Sequence, residues 1–348
     1  MPHRRFSTAL AVALSLVLAA VLAATARGRA ADDIYTVHQL VTDTTDSSLV
    51  NGWGLSAGPT TPWWTSNNGT NTSTLYSGTG TKAPLTVAVA GGPTGTVFNG
   101  NTADFVVSQN GKSGAARFLF ATEAGTILGW SPTVNGTTAI PGATVAGAVF
   151  KGLAVVNDQL YATDFHNGKV DVFDKSFTQI PTNGFADPKV AKGYAPFGIQ
   201  ALAGNIFVTY AKQDAAAKDD VAVPGQAYVD EYTPDGTLLG RVINSNKKNA
   251  PLDAPWGLAM APSDFSVFGG DLLVGNFGNG RISAYAPKGP NWVYKGQLKV
   301  ATGEPIEVDG LWAIAFGNGA ASGPTNTLYF LSGPNDESHG LFGSITAG

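Results

Sequence analysis

Oxygen-bearing side chains close a series of short apolar runs along this chain, and their types are those of a hard-cation site. Asn67 ends Trp63-Trp64-Thr65-Ser66-Asn67, Glu123 follows Phe118-Leu119-Phe120-Ala121-Thr122, Asp164 ends Leu160-Tyr161-Ala162-Thr163-Asp164, and Asn276 ends Leu272-Leu273-Val274-Gly275-Asn276. Tyr210 and Ser332 hold the same place in two further runs. Calcium takes about six to eight oxygens from carboxylates and amides, so Glu123, Asp164, Asn276 and Asn67 form a candidate metal set. A cation there would polarise a carbonyl, with His166 or His339 as candidate catalytic bases. The same residues also have a plainer use. Asn and Asp at strand ends cap turns, and His166 directly precedes the turn residues Asn167-Gly168.

Three motif matches lack their context. Gly54-Leu55-Ser56-Ala57-Gly58 has the spacing of a nucleophile elbow, which needs a strand-to-helix turn that the surrounding residues do not offer. Gly111-Lys112-Ser113 ends like a phosphate-binding loop, but Val106 stands where the first glycine belongs. Asn335-Asp336-Glu337-Ser338 is acidic without the alternating ligands of an EF-hand.

The elements that must position these residues repeat. A small residue inside an apolar run recurs at Gly54, Gly95, Gly152, Gly198, Gly257 and Ala313, at spacings of 41, 57, 46, 59 and 56 residues. Each run is followed by a second strand and then by a third that usually ends in an aromatic. The third runs are Thr74 to Tyr76, Ile127 to Trp130, Val170 to Phe173, Val229 to Tyr232, Ile282 to Tyr285 and Leu341 to Gly343. Fourth strands are weaker, as at Leu85 to Val89 and Leu238 to Ile243. The cleanest unit spans Ala254 to Tyr285, where Asn279-Gly280 predicts a tight type I′ turn. No helical periodicity follows the first thirty or so residues, so the pattern predicts an all-β, six-bladed β-propeller of four-stranded antiparallel blades. The small residues suit strands crowded round a central channel, and Trp53, Trp256 and Trp312 are expected to pack between blades. The last unit shows three strands, so Ile34 to Val41 is expected to complete it and close the ring.

In a propeller the second-strand ends share one face, which gathers Asn67, Glu123, Asp164, Tyr210, Asn276 and Ser332 at a channel mouth. Asp336, Glu337 and His339 come from neighbouring turns, and the acidic insertion Ala211 to Gln226 is expected to overhang it.

Composition bounds the partners. Residues 1–31 begin with Arg4 and Arg5, continue through an Ala, Leu and Val run from Ala9 to Ala24, and offer small-residue cleavage points at Ala26 and Ala31, the pattern of a signal peptide. Residues 32–348 then form one propeller domain. Without the signal, Lys plus Arg falls from 21 to 17 against 25 Asp plus Glu, giving a charge of about −8. That balance argues against nucleic acid, and no later apolar run has the length of a membrane span. With no cysteine the chain has no thiol chemistry and no disulfides.

Several stretches resemble an uncharacterised family of exported bacterial propellers. They are Val50-Asn51-Gly52-Trp53-Gly54-Leu55-Ser56, Phe120 to Ile127, Tyr210 to Ala215 with Asp219-Asp220-Val221-Ala222, and His339 to Ile345. That family is similar to NHL-repeat and TolB-like six-bladed propellers, and some members carry a PEP-type sorting tail. This chain ends at Gly348 without such a tail, so the expected location is secreted or periplasmic. The resemblance implies fold and location and carries no established activity. The expected function is a binding module whose channel mouth takes a small molecule, glycan or protein. The alternative is a calcium-dependent, lactonase-like hydrolase, and a quinone-dependent dehydrogenase is disfavoured by the few basic residues on that face.

Overall fold

The structure, a computed structural model, describes residues 34–244, 251–289 and 291–348. The expected signal peptide, residues 1–31, lies outside the described residues. Six four-stranded antiparallel sheets form the blades of a β-propeller. Blade 1 contains Gly52–Ser56, Trp63–Asn67, Thr72–Tyr76 and Lys82–Ala88. Blade 2 contains Pro93–Phe98, Phe118–Thr122, Thr126–Trp130 and Ile140–Thr144. Blade 3 contains Phe150–Val156, Gln159–Asp164, Lys169–Phe173 and Gln179–Ile180. Blade 4 contains Tyr194–Leu202, Asn205–Gln213, Tyr228–Tyr232 and Leu238–Asn244. Blade 5 contains Pro255–Met260, Leu272–Asn276, Ile282–Lys288 and Asn291–Gln297.

Blade 6 pairs Leu311–Phe316, Leu328–Ser332 and Leu341–Ala347, and Tyr35–Thr42 supplies its outer strand. The N-terminal strand runs antiparallel to the last one, from Tyr35 opposite Ala347 to Thr42 opposite Leu341. The two ends of the described chain are thereby hydrogen-bonded to each other, and no sheet edge is left between first and last blades. Among the described residues no helix is long and apolar enough to cross a membrane.

All six inner strands carry the same irregularity. The ladder to the second strand slips across Trp53-Gly54, Thr94-Gly95, Lys151-Gly152, Phe197-Gly198, Trp256-Gly257 and Trp312-Ala313. A bulge of this kind re-aims side chains, and here it sets the first residue of each pair toward the centre and the second against the next blade. A Cβ on Gly257 would lie 2.6 Å from the Trp312 carbonyl oxygen, and one on Gly54 would lie 2.7 Å from the Thr96 nitrogen. The small residues therefore answer to neighbouring backbone rather than to the channel. Threonines of the second strands stitch the same seam. Thr163 accepts from the Gly152 amide at 2.7 Å and donates to the Phe197 carbonyl at 2.6 Å, and Thr209 repeats this between Gly198 and Pro255.

The apolar core is divided among the blade interfaces. Leu119, Phe150 and Leu160 fill the seam between blades 2 and 3, Tyr161, Ile199 and Val208 the next, and Leu273, Ile314 and Phe330 the seam between blades 5 and 6. The tryptophans pack across neighbouring blades, as expected, but they do so at the axis of the ring. Trp53 stacks on Trp312 at 3.8 Å between centroids, and Phe277 stacks on its other side at 4.0 Å. Trp256 meets Trp312 edge-on at 5.9 Å, and Phe197 approaches it at 5.8 Å. These rings plug the channel.

Turn chemistry also differs in one place. The Asn279-Gly280 connection has positive φ at Gly280 alone and closes through Gly280 N–H to the Asn276 carbonyl, so it is a wider loop. Two-residue turns with positive φ at both positions occur instead at Asn110-Gly111, Asn157-Asp158 and Ala203-Gly204. The first of these caps a hairpin, Val106–Gln109 with Lys112–Ala115, inserted between the first two strands of blade 2.

Candidate functional site

At the mouth of the channel, over the aromatic plug, lies a buried lysine. Lys151 is the residue that the blade 3 bulge turns inward, where blades 1, 4, 5 and 6 present rings. Its side chain is 2% exposed. The ammonium donates to Glu123 Oε1 at 2.7 Å and to Asp219 Oδ1 at 3.0 Å, and stands 4.7 Å from the Trp53 ring. The Trp256 indole donates to the Lys151 carbonyl at 3.1 Å, which fixes the backbone beneath it.

The polar network continues round the rim. Asn68 Nδ2 donates to Glu123 Oε2 at 3.0 Å, and Asn51 Nδ2 donates to Glu337 Oε2 at 2.7 Å. Asn51 Oδ1 accepts from the Trp312 indole at 3.1 Å, so the rim is tied to the plug. Asn51 and Asn68 are held together by backbone, Asn68 N–H donating to the Asn51 carbonyl. Glu337 ends a run of three left-handed residues, Asn335, Asp336 and Glu337, with φ of 55°, 52° and 62°. Such a run costs backbone energy and aims the Glu337 carboxylate at the rim.

The insertion in blade 4 crosses the mouth as a strap. Asp220–Val221 pairs with Lys212–Gln213, and Asp214 caps the turn by accepting from Lys218 and Asp219 amides. This placement sends Asp219 to Lys151 and leaves the half-buried Asp220 carboxylate with its own backbone amide as a hydrogen-bond donor and no paired cation in direct contact among the described residues.

The charges follow from these contacts. Burial opposes ionisation of Glu123, but Lys151 and the Asn68 amide outweigh it and leave the carboxyl below its ordinary value. Burial likewise opposes the Lys151 charge, and Glu123 with Asp219 overcomes it and raises the ammonium pKa. Asp220 is pushed up to about 7 by burial, against Lys151 and with help from Glu337 and Asp219. Glu337 is also raised, by burial and by Glu123 and Asp219, against Asn51 and Lys151. Four carboxylates thus share one buried ammonium, with the exposed Lys218 on the strap as a weaker countercharge.

Of the expected ring, Glu123 lies at the centre of this network. Asn67 is fully buried and bonds within blade 1, donating to Thr72 and Thr74 and accepting from Thr65. Asp164 brackets its own turn, accepting from the Asn167 side chain at 2.7 Å and from the Asn167 and Val149 amides. Asn276 does the same in blade 5, accepting from Asp253 N–H and donating to the Arg281 carbonyl. The Tyr210 hydroxyl bonds the Tyr232 hydroxyl at 2.6 Å, and Ser332 is buried with its hydroxyl unpaired. His166 is exposed, and His339, also exposed, places Nδ1 2.8 Å from Asp43 at the ring closure. Among the described residues no group of three or more His, Asp or Glu side chains is placed to hold a metal ion. Lys151, Asn51 and Asn68 escape sequence reasoning. The available signal is a lysine directly before the repeat glycine, where four of the other units carry a ring and one a threonine.

No known family model matches this chain. An uncharacterised protein of Acanthamoeba polyphaga mimivirus is 29% identical over 316 residues, covering 86% of this chain and 76% of the viral protein. The bacterial origin implied by the sequence resemblance is thus not supported by this relative. A solved glucose dehydrogenase matches with a TM-score of 0.55 and 14% identity over 90% of this chain and 100% of its own. A streptogramin B lyase matches at 0.52 and 10%, over 90% and 98%. At such identities the likeness is one of fold.

Proposed function

We propose that the protein is a binding propeller whose channel mouth takes a small organic cation, an ammonium-bearing molecule. The observation that carries this is the charge deficit at the mouth, where Glu123, Asp219, Asp220 and Glu337 face one buried ammonium. Burial beside the aromatic plug places Glu123, Asp220 and Glu337 in a medium less polar than water, whereas Asp219 is largely exposed. Both Glu123 oxygens are engaged, by Lys151 and Asn68, which leaves Asp220 and the free oxygen of Glu337 to receive a cation. Calcium, and with it lactonase-like hydrolysis, is the competing occupant. Two carboxylates suit the diffuse charge of an ammonium better than the close oxygen cage that calcium requires. The N-terminal composition adds secretion or periplasmic residence to the proposal.

Titration calorimetry with 1,5-diaminopentane and with calcium chloride as separate probes tests the reading. Saturable binding of the diamine, weakened in Asp220→Asn and in Glu337→Gln, is expected. Binding of calcium alone would transfer the site to the metal reading, and binding of neither probe would remove the proposal.

A further inference from the structure

Away from the mouth, a groove opens between blades 1 and 2 at the end of the blades where the inner strands finish, and its chemistry is unlike that of the Lys151 site. Its volume is about 540 Å³. That is within the range of small-molecule pockets. Its walls are aromatic and belong to blades 1 and 2. Trp64 stacks on Phe118 at 4.1 Å, Trp130 leans on Trp64 at 4.6 Å, and Phe98 meets Phe118 at 5.3 Å. Trp64 and Phe118 are buried, whereas Phe98 and Trp130 are half-buried and present surface to the opening.

One charge stands in this apolar wall. The Arg117 guanidinium carbon lies 5.0 Å over the Phe98 ring, and Nη1 donates a long hydrogen bond, 3.4 Å, to the Asn101 carbonyl. Among the described residues no carboxylate pairs with it, in a chain whose net charge is −4. A guanidinium offers five donors, so most of its hydrogen-bonding capacity is unused among the described residues, and the side chain lines the groove. Both lips are fixed. Asn318 of blade 6 donates to the Gly58 and Thr61 carbonyls at 2.8 and 2.9 Å and holds the Pro59 to Pro62 loop. On the other side Asn99 donates to the Asp104 and Ala116 carbonyls, and Asn101 donates to Asp104 at 2.6 Å.

We infer that this groove is a second ligand site, for a small amphiphilic anion whose flat apolar body lies against Trp130 and Phe98 and whose acid group pairs with Arg117. The ring faces supply the burial, and the arginine supplies orientation through charge-assisted hydrogen bonds. The site is independent of the Lys151 mouth, which selects the opposite charge.

Two dyes with the same aromatic body separate the contributions. They are 8-anilinonaphthalene-1-sulfonate and the neutral N-phenyl-1-naphthylamine, each titrated by fluorescence against the folded protein. Both bind saturably with one site. Arg117→Met, or Arg117→Gln should the first fail to fold, weakens the sulfonate by roughly tenfold or more and leaves the neutral dye unchanged. Trp130→Ala weakens both. The inference is overturned if neither dye saturates, or if the arginine variants bind the sulfonate as tightly as the native chain.

Discussion

Replacing Lys151 by methionine keeps most of the side-chain volume and removes the charge on which the mouth is built. The ammonium is 2% exposed and lies 2.7 Å from a carboxylate that is itself 20% exposed. Removing one partner of a buried pair leaves the other ionised without compensation, which costs about 3–5 kcal/mol. The Asp219 contact adds little, because that side chain is 59% exposed. For a chain of this length each kcal/mol moves the melting temperature by about 2 °C, so Lys151→Met should melt roughly 6–10 °C lower. Calorimetry on Lys151→Met, Glu123→Gln and the double variant gives the pairwise contribution. The double variant should recover about 1–3 kcal/mol relative to the sum of the singles, since glutamine no longer needs the countercharge. A Lys151→Met protein as stable as the native one, or strictly additive singles, would refute the assignment of this pair as buried and coupled.

Further outcomes follow from the same geometry. The folded-state pKa of Asp220 is raised to about 7, so the folded protein binds more protons than the unfolded chain between about pH 4 and pH 7, and its stability falls as pH rises through that window. Asp220→Asn should therefore gain on the native chain progressively from about pH 4 to about pH 7 and level off above that, by about 2–4 kcal/mol, read from denaturant midpoints. Gly198→Ala places a Cβ against the Trp256 carbonyl and should cost about 2 kcal/mol or more, measured as lost melting temperature. Deleting residues 34–41 should abolish cooperative unfolding, because the last blade then keeps an open edge; an unchanged calorimetric peak would contradict closure by that strand. Expression of the whole chain in a bacterium should yield a mature N-terminus after Ala26 or Ala31, determined by N-terminal sequencing.

The fold was legible because its determinant is local and repeated. Gly54, Gly95, Gly152, Gly198 and Gly257 each sit in an apolar run at similar spacing, and the constraint behind them recurs at five of the six blade seams, the sixth carrying Ala313. The ring closure was legible from a missing fourth strand. The site was legible only in part. Glu123 and the acidic strap stand where the second-strand ends predict, but Asn67, Asp164 and Asn276 spend their polar atoms on their own blades. Sequence gives their type and place along the strand; it does not give the competing donors across the next turn. Lys151 was invisible for a related reason. Its partners lie 28 and 68 residues away and meet it only after the bulge has rotated it inward. A ring beside a glycine fits the outer seam or the axis equally well, and only the shared slip in the ladder puts Trp53, Trp256 and Trp312 at the axis.

At the channel mouth four carboxylates face one buried ammonium, and the proposed ligand is the cation that balances them. Calorimetric titration of 1,5-diaminopentane at about pH 7, in two buffers of different ionisation enthalpy, counts the protons exchanged on binding. Asp220 titrates at about 7. A cation docking beside it should expel roughly half a proton per site, and Asp220→Asn should abolish that release. Binding with no buffer dependence, or a release that survives in the variant, would contradict the account.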